Sequence, residues 1–362
     1  MNDDEIPIIN LSIDGQAIAV LQGTSIIEAA DDSGIHIPRF CYHRKLSISA
    51  NCRMCLVDVK DSRKPIPACA TPVSEGMVVQ TKSKKALKHQ RDVMEFLLIN
   101  HPLDCPICDQ GGQCELQDLA LGYGRDKSRF AQSKRVVEDR DVGPLISTDL
   151  TRCIHCARCV RFGVEVTGQK DLGMTHRGEH AQISTAIGHA VTSEMSGNII
   201  DLCPVGALTS KPGRFRGRAW EMNRRPSIGG HDCWGSHCYA HVYRNEVFHV
   251  VPREEEAINE VWLSDRDRFS YTGIDHPDRL LSPQVKREGA WEVVSWQEAL
   301  EEVQKRMQKT VNDDGAESLG ALCGYSNTAE EYYLLQKIVR GLGSHHIDHR
   351  IRQLDFSYSP QQ

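Results

Sequence analysis

The fourteen cysteines of this 362-residue chain are spaced so that few folds remain open to it. Cys41, Cys52, Cys55 and Cys69 form one group, Cys105, Cys108 and Cys114 a second, and Cys153, Cys156, Cys159 with Cys203 a third. Cys233, Cys238 and Cys323 stand apart. Such a count suits either a disulfide framework in an oxidising compartment or a series of metal-binding loops. The start "MNDDEIPIIN" is acidic where an export or mitochondrial leader would be basic. No stretch approaches the ~20 apolar residues of a membrane-spanning helix. The expectation is a chain that is not exported and has no direct membrane span, with cysteines that bind metal. At 40% apolar and 25% charged residues, its length supports two or three domains with ordinary cores. A net charge of −6 gives no basic field for nucleic acid. The basic run "GRFRGR" (213–218) reads as a solvated or interdomain segment.

The first group has the pattern C-x10-C-x2-C-x13-C. A wide loop, a close pair and a distant fourth thiolate suit a plant-type [2Fe–2S] centre, whereas zinc sites favour two close pairs. "IINLSIDGQAIAV" reads as two alternating strands turning at Asp14-Gly15. Ser25 and Glu28 form a capping-box pattern ahead of "IIEAADDSG", with Gly34 placed to end that helix. "CLVDV" and "GMVVQT" add strand candidates, so the pattern predicts a small sandwich of strands with one helix. Together these features resemble a β-grasp ferredoxin.

After residue 83 the period becomes helical, with Leu87, Met94, Leu97 and Leu98 marking the apolar face of "KALKHQRDVMEFLLIN". Proline at His101-Pro102 ends this helix and puts an imidazole at the mouth of the next cysteine loop, giving H-x3-C-x2-C-x5-C. His101 is the expected fourth partner of Cys105, Cys108 and Cys114. Gly111 and Gly112 are expected to let backbone N–H groups approach the sulfurs. The third group, "CIHCARC" completed by Cys203 in "DLCPVGAL", has the C-x2-C-x2-C and remote Cys-Pro arrangement that holds a [4Fe–4S] cubane in bacterial ferredoxins.

"NCRMCLVDV", "HPLDCPICDQGGQCELQD", "TRCIHCARCVRF" and "SGNIIDLCPVGALTSKP", in this order, resemble the large iron–sulfur subunits of respiratory complex I. The resemblance implies a [2Fe–2S] cluster on Cys41, Cys52, Cys55 and Cys69. It also implies [4Fe–4S] clusters on His101, Cys105, Cys108 and Cys114, and on Cys153, Cys156, Cys159 and Cys203. The implied fold class is α+β and multidomain. A β-grasp [2Fe–2S] ferredoxin domain occupies 1–82, a helical His/Cys cluster domain 83–142, and a [4Fe–4S] ferredoxin-like domain 143–220. The start of an α/β molybdopterin-oxidoreductase-like domain occupies 221–362. "SWQEALEEVQKRMQKTV" and "TAEEYYLLQKIVRGLG" read as helices of that last part, and "SLGALCGY" as a buried strand. In the family this domain continues well past such a length, so the sequence reads as part of a longer subunit.

Two departures from the family pattern bear on cofactors. Some members hold a further [4Fe–4S] cluster through C-x2-C-x3-C and a later cysteine, but here Gly230 and Ser264 stand where two ligands would fall. Cys233 and Cys238 therefore read as structural relics. Related formate dehydrogenases carry a cysteine or selenocysteine ligand after a segment like "HIDHR", whereas this chain continues "IRQLDFSYSP", so no molybdopterin is expected.

No G-x-G-x-x-G fingerprint, nucleophile elbow or paired-carboxylate site is present. The expected role is a relay of single electrons from an NADH- and flavin-binding partner, through this chain, to downstream iron–sulfur subunits and quinone. The implied location is the cytoplasmic face of a bacterial inner membrane, reached through partners. The competing readings are the diaphorase subunit of an NAD-reducing hydrogenase, a formate dehydrogenase α subunit and a zinc-stapled interaction protein. The extension past residue 220 disfavours the first, and the missing thiolate the second.

Overall fold

The strand pair β1 (Ile8–Ile13) and β2 (Gln16–Leu21) turns through Asp14 and Gly15 at φ +49° and +87°, the two left-handed positions of a tight hairpin turn. The Asp14 carboxylate also accepts the Thr81 N–H at 2.7 Å, which ties the turn to the end of the strand that lies beside β1. Helix α1 (Ile26–Asp32) starts with the expected reciprocal cap. Ser25 Oγ accepts the Glu28 N–H, and the Glu28 carboxylate accepts the Ser25 N–H at 2.8 Å.

Strands β3 (Leu56–Val59), β4 (Ile66–Pro67) and β5 (Val78–Gln80) complete one five-stranded sheet in the order β2-β1-β5-β3-β4, with β1 and β5 parallel. The expected sandwich is instead this single sheet packed on α1. Ile26, Ile27, Ala29 and Ala30 of the helix cover Leu11, Ile13, Ile18, Val57 and Val79, so its apolar face needs no second sheet. The structure is a computed structural model that describes residues 6–185, 190–231, 234–324 and 326–349.

Helix α2 (Lys84–Leu98) is capped by Ser83, whose Oγ accepts the Ala86 N–H at 3.0 Å. Its buried stripe is Ala86, Gln90 and Met94, not the leucines singled out by period; Leu87 is 37% exposed. The polar member is accommodated because Gln90 Nε2 donates to the Leu56 carbonyl at 2.9 Å, tying α2 to β3. The helix stops three residues before His101. A cysteine loop follows, and α3 (Glu115–Tyr123) begins immediately after Cys114.

Strand β6 (Ile146–Thr148) leads to α4 (Arg158–Glu165), the hairpin β7 (Leu172–Thr175) and β8 (Gln182–Thr185), α5 (Asn198–Leu202), and β9 (Leu208–Ser210), which pairs antiparallel with β6. Phe162 of α4 and Ile199 and Leu202 of α5 are almost fully buried. The β6–β9 pairing returns the chain, so Cys203, at the end of α5, comes back to the loop that opens α4.

The chain divides into two units, Met1–Arg224 with His241–Phe248, and Arg225–Ala240 with His249–Gln362. Strands β10 (Asn223–Ile228), β11 (His237–Tyr243) and β12 (Glu246–Pro252) form a sheet in that order. Helix α6 (Asp265–Phe269), the hairpin β13 (Gln284–Arg287) and β14 (Ala290–Val293), and α7 (Trp296–Asp314) follow. Strand β15 (Gly320–Leu322), helix α8 (Ala329–Gly341) and β16 (His346–Asp348) make a parallel crossover. The strand expected to be buried here is not: Leu322 is 66% exposed, because among the described residues β15 has only β16 beside it and α8 covers a single face.

Candidate metal centres

The first donor set lies at the edge of the five-stranded sheet. Cys41 and Cys52 come from one long loop, Cys55 from the start of β3, and Cys69 from the single turn Ala68–Ala70 that follows β4. The structure brings all four together: the Cys41 thiol neighbours those of Cys52 and Cys69, and Cys69 neighbours Cys55. Interaction with the neighbouring thiols, Cys52 and Cys69 for Cys41 and Cys69 for Cys55, pulls the Cys41 and Cys55 thiols below their usual range, while Cys52 and Cys69 are pushed up. The Cys41 N–H also points at Cys52 Sγ, 3.4 Å away. Ala50 and Arg53 hold left-handed φ values of +51° and +58°, folding the wide loop back on itself.

In the second region Cys108 and Cys114 are buried and Cys105 is exposed. His101 is largely buried, and its Nδ1 has no hydrogen-bond partner. Burial lowers its pKa, which keeps the imidazole neutral, the form that binds metal. A buried, neutral, unpaired ring nitrogen beside a three-cysteine loop fits a ligand better than a packing residue. The adjacent glycines act differently from expectation. Their N–H groups go to the Cys108 carbonyl at 2.9 Å and to Gln117 Oε1 at 3.1 Å, not to sulfur. Gly111 is required because a Cβ would stand 2.8 Å from the Cys105 carbonyl. Gly112 sits at φ +89°, a backbone conformation that favours glycine, with the Trp220 ring packed over it.

The third set comes from the loop that opens α4 and from the end of α5. Cys153, Cys156, Cys159 and Cys203 line one apolar recess with Leu150, Ile154, Ile183 and Val205, about 380 Å³ with its mouth included. Burial pushes Cys153 up to about 11 and Cys156 and Cys203 up to about 12, and raises Cys159 as well. Thiols so placed ionise only against a strong positive charge, which ferric iron supplies. His155 and Ala157 sit at φ +55° and +59° in the ligand loop, each at a cost of roughly 1 kcal/mol. That strain turns the loop around the recess. Among the described residues no three His, Cys, Asp or Glu side chains converge on one point as single-ion ligands do.

Sequence reasoning missed the groups that join these sites. Arg152, buried just before Cys153, donates through Nε and Nη2 to Asp104, just before Cys105, at 2.9 and 2.7 Å. Its Nη1 reaches the Gly206 carbonyl at 3.2 Å. The run "GRFRGR" is not merely solvated. Arg214 Nη2 donates to both Asp149 carboxylate oxygens at 2.9 Å, and Arg218 donates to the Cys108 carbonyl at 2.6 Å and to that of Pro106. The available signal was an arginine directly before each of two cysteines in "TRCIHCARC".

Cys238 lies in the second unit, and Cys233 lies outside the described residues. Ser264 acts as the N-cap of α6, accepting the Asp267 N–H at 3.1 Å. Asp267 packs so closely on Gly229 that a Cβ there would meet its carboxylate at 2.6 Å. With two cysteines in this segment, the donors do not fit a four-iron cluster. Cys233→Ser combined with Cys238→Ser is expected to leave iron content and the EPR signals of the reduced protein unchanged. Loss of about four irons would contradict that expectation.

Five family signatures match in order. They are the 2Fe-2S iron-sulfur cluster binding domain at 7–84 and the NADH-ubiquinone oxidoreductase-G iron-sulfur binding region at 90–129. The NADH-quinone oxidoreductase subunit 3, ferredoxin-like domain follows at 143–209, and the NADH-ubiquinone oxidoreductase NDSU1/NuoG-like, 4Fe-4S domain at 222–272. Molybdopterin oxidoreductase matches 279–360. Fold and sites thus define a mixed α/β iron–sulfur protein with both 2Fe-2S and 4Fe-4S domains.

The G-type subunit of the NADH-quinone oxidoreductase of Rickettsia felis is 45% identical over 98% of this chain and 52% of its own length. The NADH-ubiquinone oxidoreductase 75 kDa subunit of Reclinomonas americana is 46% identical over 93% of the chain and 48% of its own. The mitochondrial 78 kDa subunit of Neurospora crassa is 46% identical over 94% and 45%. The chain belongs to this family of G-type and 75–78 kDa subunits, and it spans about half the length of these relatives. A crystal structure of an NAD+-reducing [NiFe]-hydrogenase is also similar, with TM-score 0.54 and 28% identity over 58% of this chain and 90% of that one.

Proposed function

We propose that this chain is the cluster-bearing electron relay of an NADH–quinone oxidoreductase. In this reading a β-grasp domain (1–82) holds a [2Fe–2S] cluster on Cys41, Cys52, Cys55 and Cys69. A helical domain (83–142) holds a [4Fe–4S] cluster on His101, Cys105, Cys108 and Cys114. A ferredoxin-like domain (143–220) holds the other on Cys153, Cys156, Cys159 and Cys203. The clusters supply one-electron chemistry when bound; the chain supplies ligand identity, burial and hydrogen bonds, which tune the potentials. Electrons would arrive from an NADH- and flavin-binding partner and leave toward quinone through downstream iron–sulfur subunits. The complex would lie on the cytoplasmic face of a bacterial inner membrane, and no described helix is long and apolar enough to cross one. Residues 221–362 would begin a molybdopterin-oxidoreductase-like scaffold without the pterin; the segment that lacks a thiolate lies outside the described residues.

The observation that carries this reading is the apolar recess lined by Cys153, Cys156, Cys159 and Cys203; the buried, unpartnered Nδ1 of His101, four residues before Cys105, supports it. The hydrogenase reading draws on a likeness that covers 58% of the chain, whereas the match to the Rickettsia felis relative spans 98%. The iron-loaded chain alone is expected to be reduced by dithionite and not by NADH, and to respond to NADH only when a flavin-bearing partner is added. Tight one-to-one NADH binding by the isolated chain in calorimetry would overturn the relay assignment.

A further inference from the structure

Arg158 stands where the three donor sets meet. It directly precedes Cys159 at the start of α4 and is only 5% exposed. Its Nη1 and Nη2 donate to Glu115 Oε1 and Oε2 at 2.7 and 3.1 Å, a bidentate pair. Nη1 also donates to the Leu202 carbonyl at 3.3 Å, and Nη2 to the Tyr42 carbonyl at 3.1 Å. Each partner is the chain neighbour of a donor: Tyr42 follows Cys41, Glu115 follows Cys114, and Leu202 precedes Cys203. A planar fork can serve these three directions at once, and a lysine ammonium cannot. One turn along α4, Arg161 donates to the Cys41 and Ser47 carbonyls, and Glu165 accepts the Ser47 N–H at 2.7 Å, so the helix is fastened to the first ligand loop beyond Arg158 itself. The charge also bears directly on Cys156 and Cys203 of the third set.

We propose that Arg158 is a positioning residue shared by all three clusters, whose guanidinium holds the three ligand loops at fixed spacing and whose charge favours the reduced state. This rests on the ligand assignment given above. Reduction adds negative charge to a cluster, and a buried cation nearby stabilises it, so losing the cation lowers the midpoint potential. Glu115 acts in the opposite sense: its charge reaches Cys156, and in the chain it directly follows Cys114.

The test uses the full-length protein in its native complex, with iron analysis and redox-titrated EPR. Arg158→Gln is expected to retain all three clusters while the midpoint of the third, and of at least one other, moves to more negative values. Arg158→Lys restores the charge and should return the third cluster toward its original potential. Glu115→Gln, at a half-exposed position, should shift the second and third clusters positively. The double variant should depart from the sum of the single shifts, because the pair is coupled. Full iron with unchanged potentials in Arg158→Gln overturns the proposal, as does a shift confined to one cluster. If Arg158→Gln loses a cluster, Glu115→Gln decides alone: a positive shift of the third cluster supports the proposal and no shift overturns it. Failure of the ligand assignment is distinguishable, because it shows in the unaltered protein as absent iron.

Discussion

Replacing His101 with alanine is expected to strip one iron from the second cluster and change its EPR signal, while the other two clusters keep theirs. Alanine leaves three cysteines, and a four-iron cluster with three protein ligands loses the unligated iron or takes water there. The structural basis is an imidazole held neutral by burial with an unpaired Nδ1, four residues ahead of the loop that carries Cys105, Cys108 and Cys114. His101→Cys should behave differently. A fourth thiolate makes the cluster more negative, so four irons are retained and the reduction potential falls. Iron analysis with redox-titrated EPR reads both variants. Unaltered iron, signal and potential in His101→Ala would make the histidine a bystander.

Gly206→Ala is expected to damage the same cluster from the opposite side. A methyl group at Gly206 would stand 2.1 Å from Cys108 Sγ and 3.2 Å from Gln110 Cβ. A free cysteine escapes such a clash by rotating about χ1, whereas a cysteine bound to iron cannot turn without leaving its ligand position. The variant therefore separates a ligand from a spectator thiol. If Cys108 binds iron, Gly206→Ala loses most of the second cluster's EPR signal, while the third, which lies on the other side of the same Cys203–Gly206 segment, is perturbed less. Retention of full iron and an unchanged second signal would show that Cys108 moved freely and is no ligand.

Local signals were legible where a short stretch carries its own physics. The Asp14-Gly15 turn and the Ser25/Glu28 cap depend on residues at most three apart, and both formed as expected. The cysteine loop after α2 was legible as a break, but the helix ends at Leu98, three residues before the His101-Pro102 position expected to stop it. The buried face of α2 was not, since Gln90 is interior only because the Leu56 carbonyl of β3 receives its amide. Nor was the exposed β15, whose burial depends on what lies beside a two-stranded sheet. Gly206 and Arg158 were invisible for the same reason: their roles come from contacts with Cys108 and Tyr42, ninety-eight and one hundred and sixteen positions away. Spacing along the chain exposes the donors, and three-dimensional proximity is needed to find what holds the donor sets against one another.

The most direct measurement is the iron and acid-labile sulfide content of the protein purified without oxygen, with zinc and molybdenum assayed in the same sample. Three filled donor sets predict about ten iron atoms per chain, with about the same sulfide and no molybdenum. Stoichiometric zinc with little iron or sulfide would contradict the account.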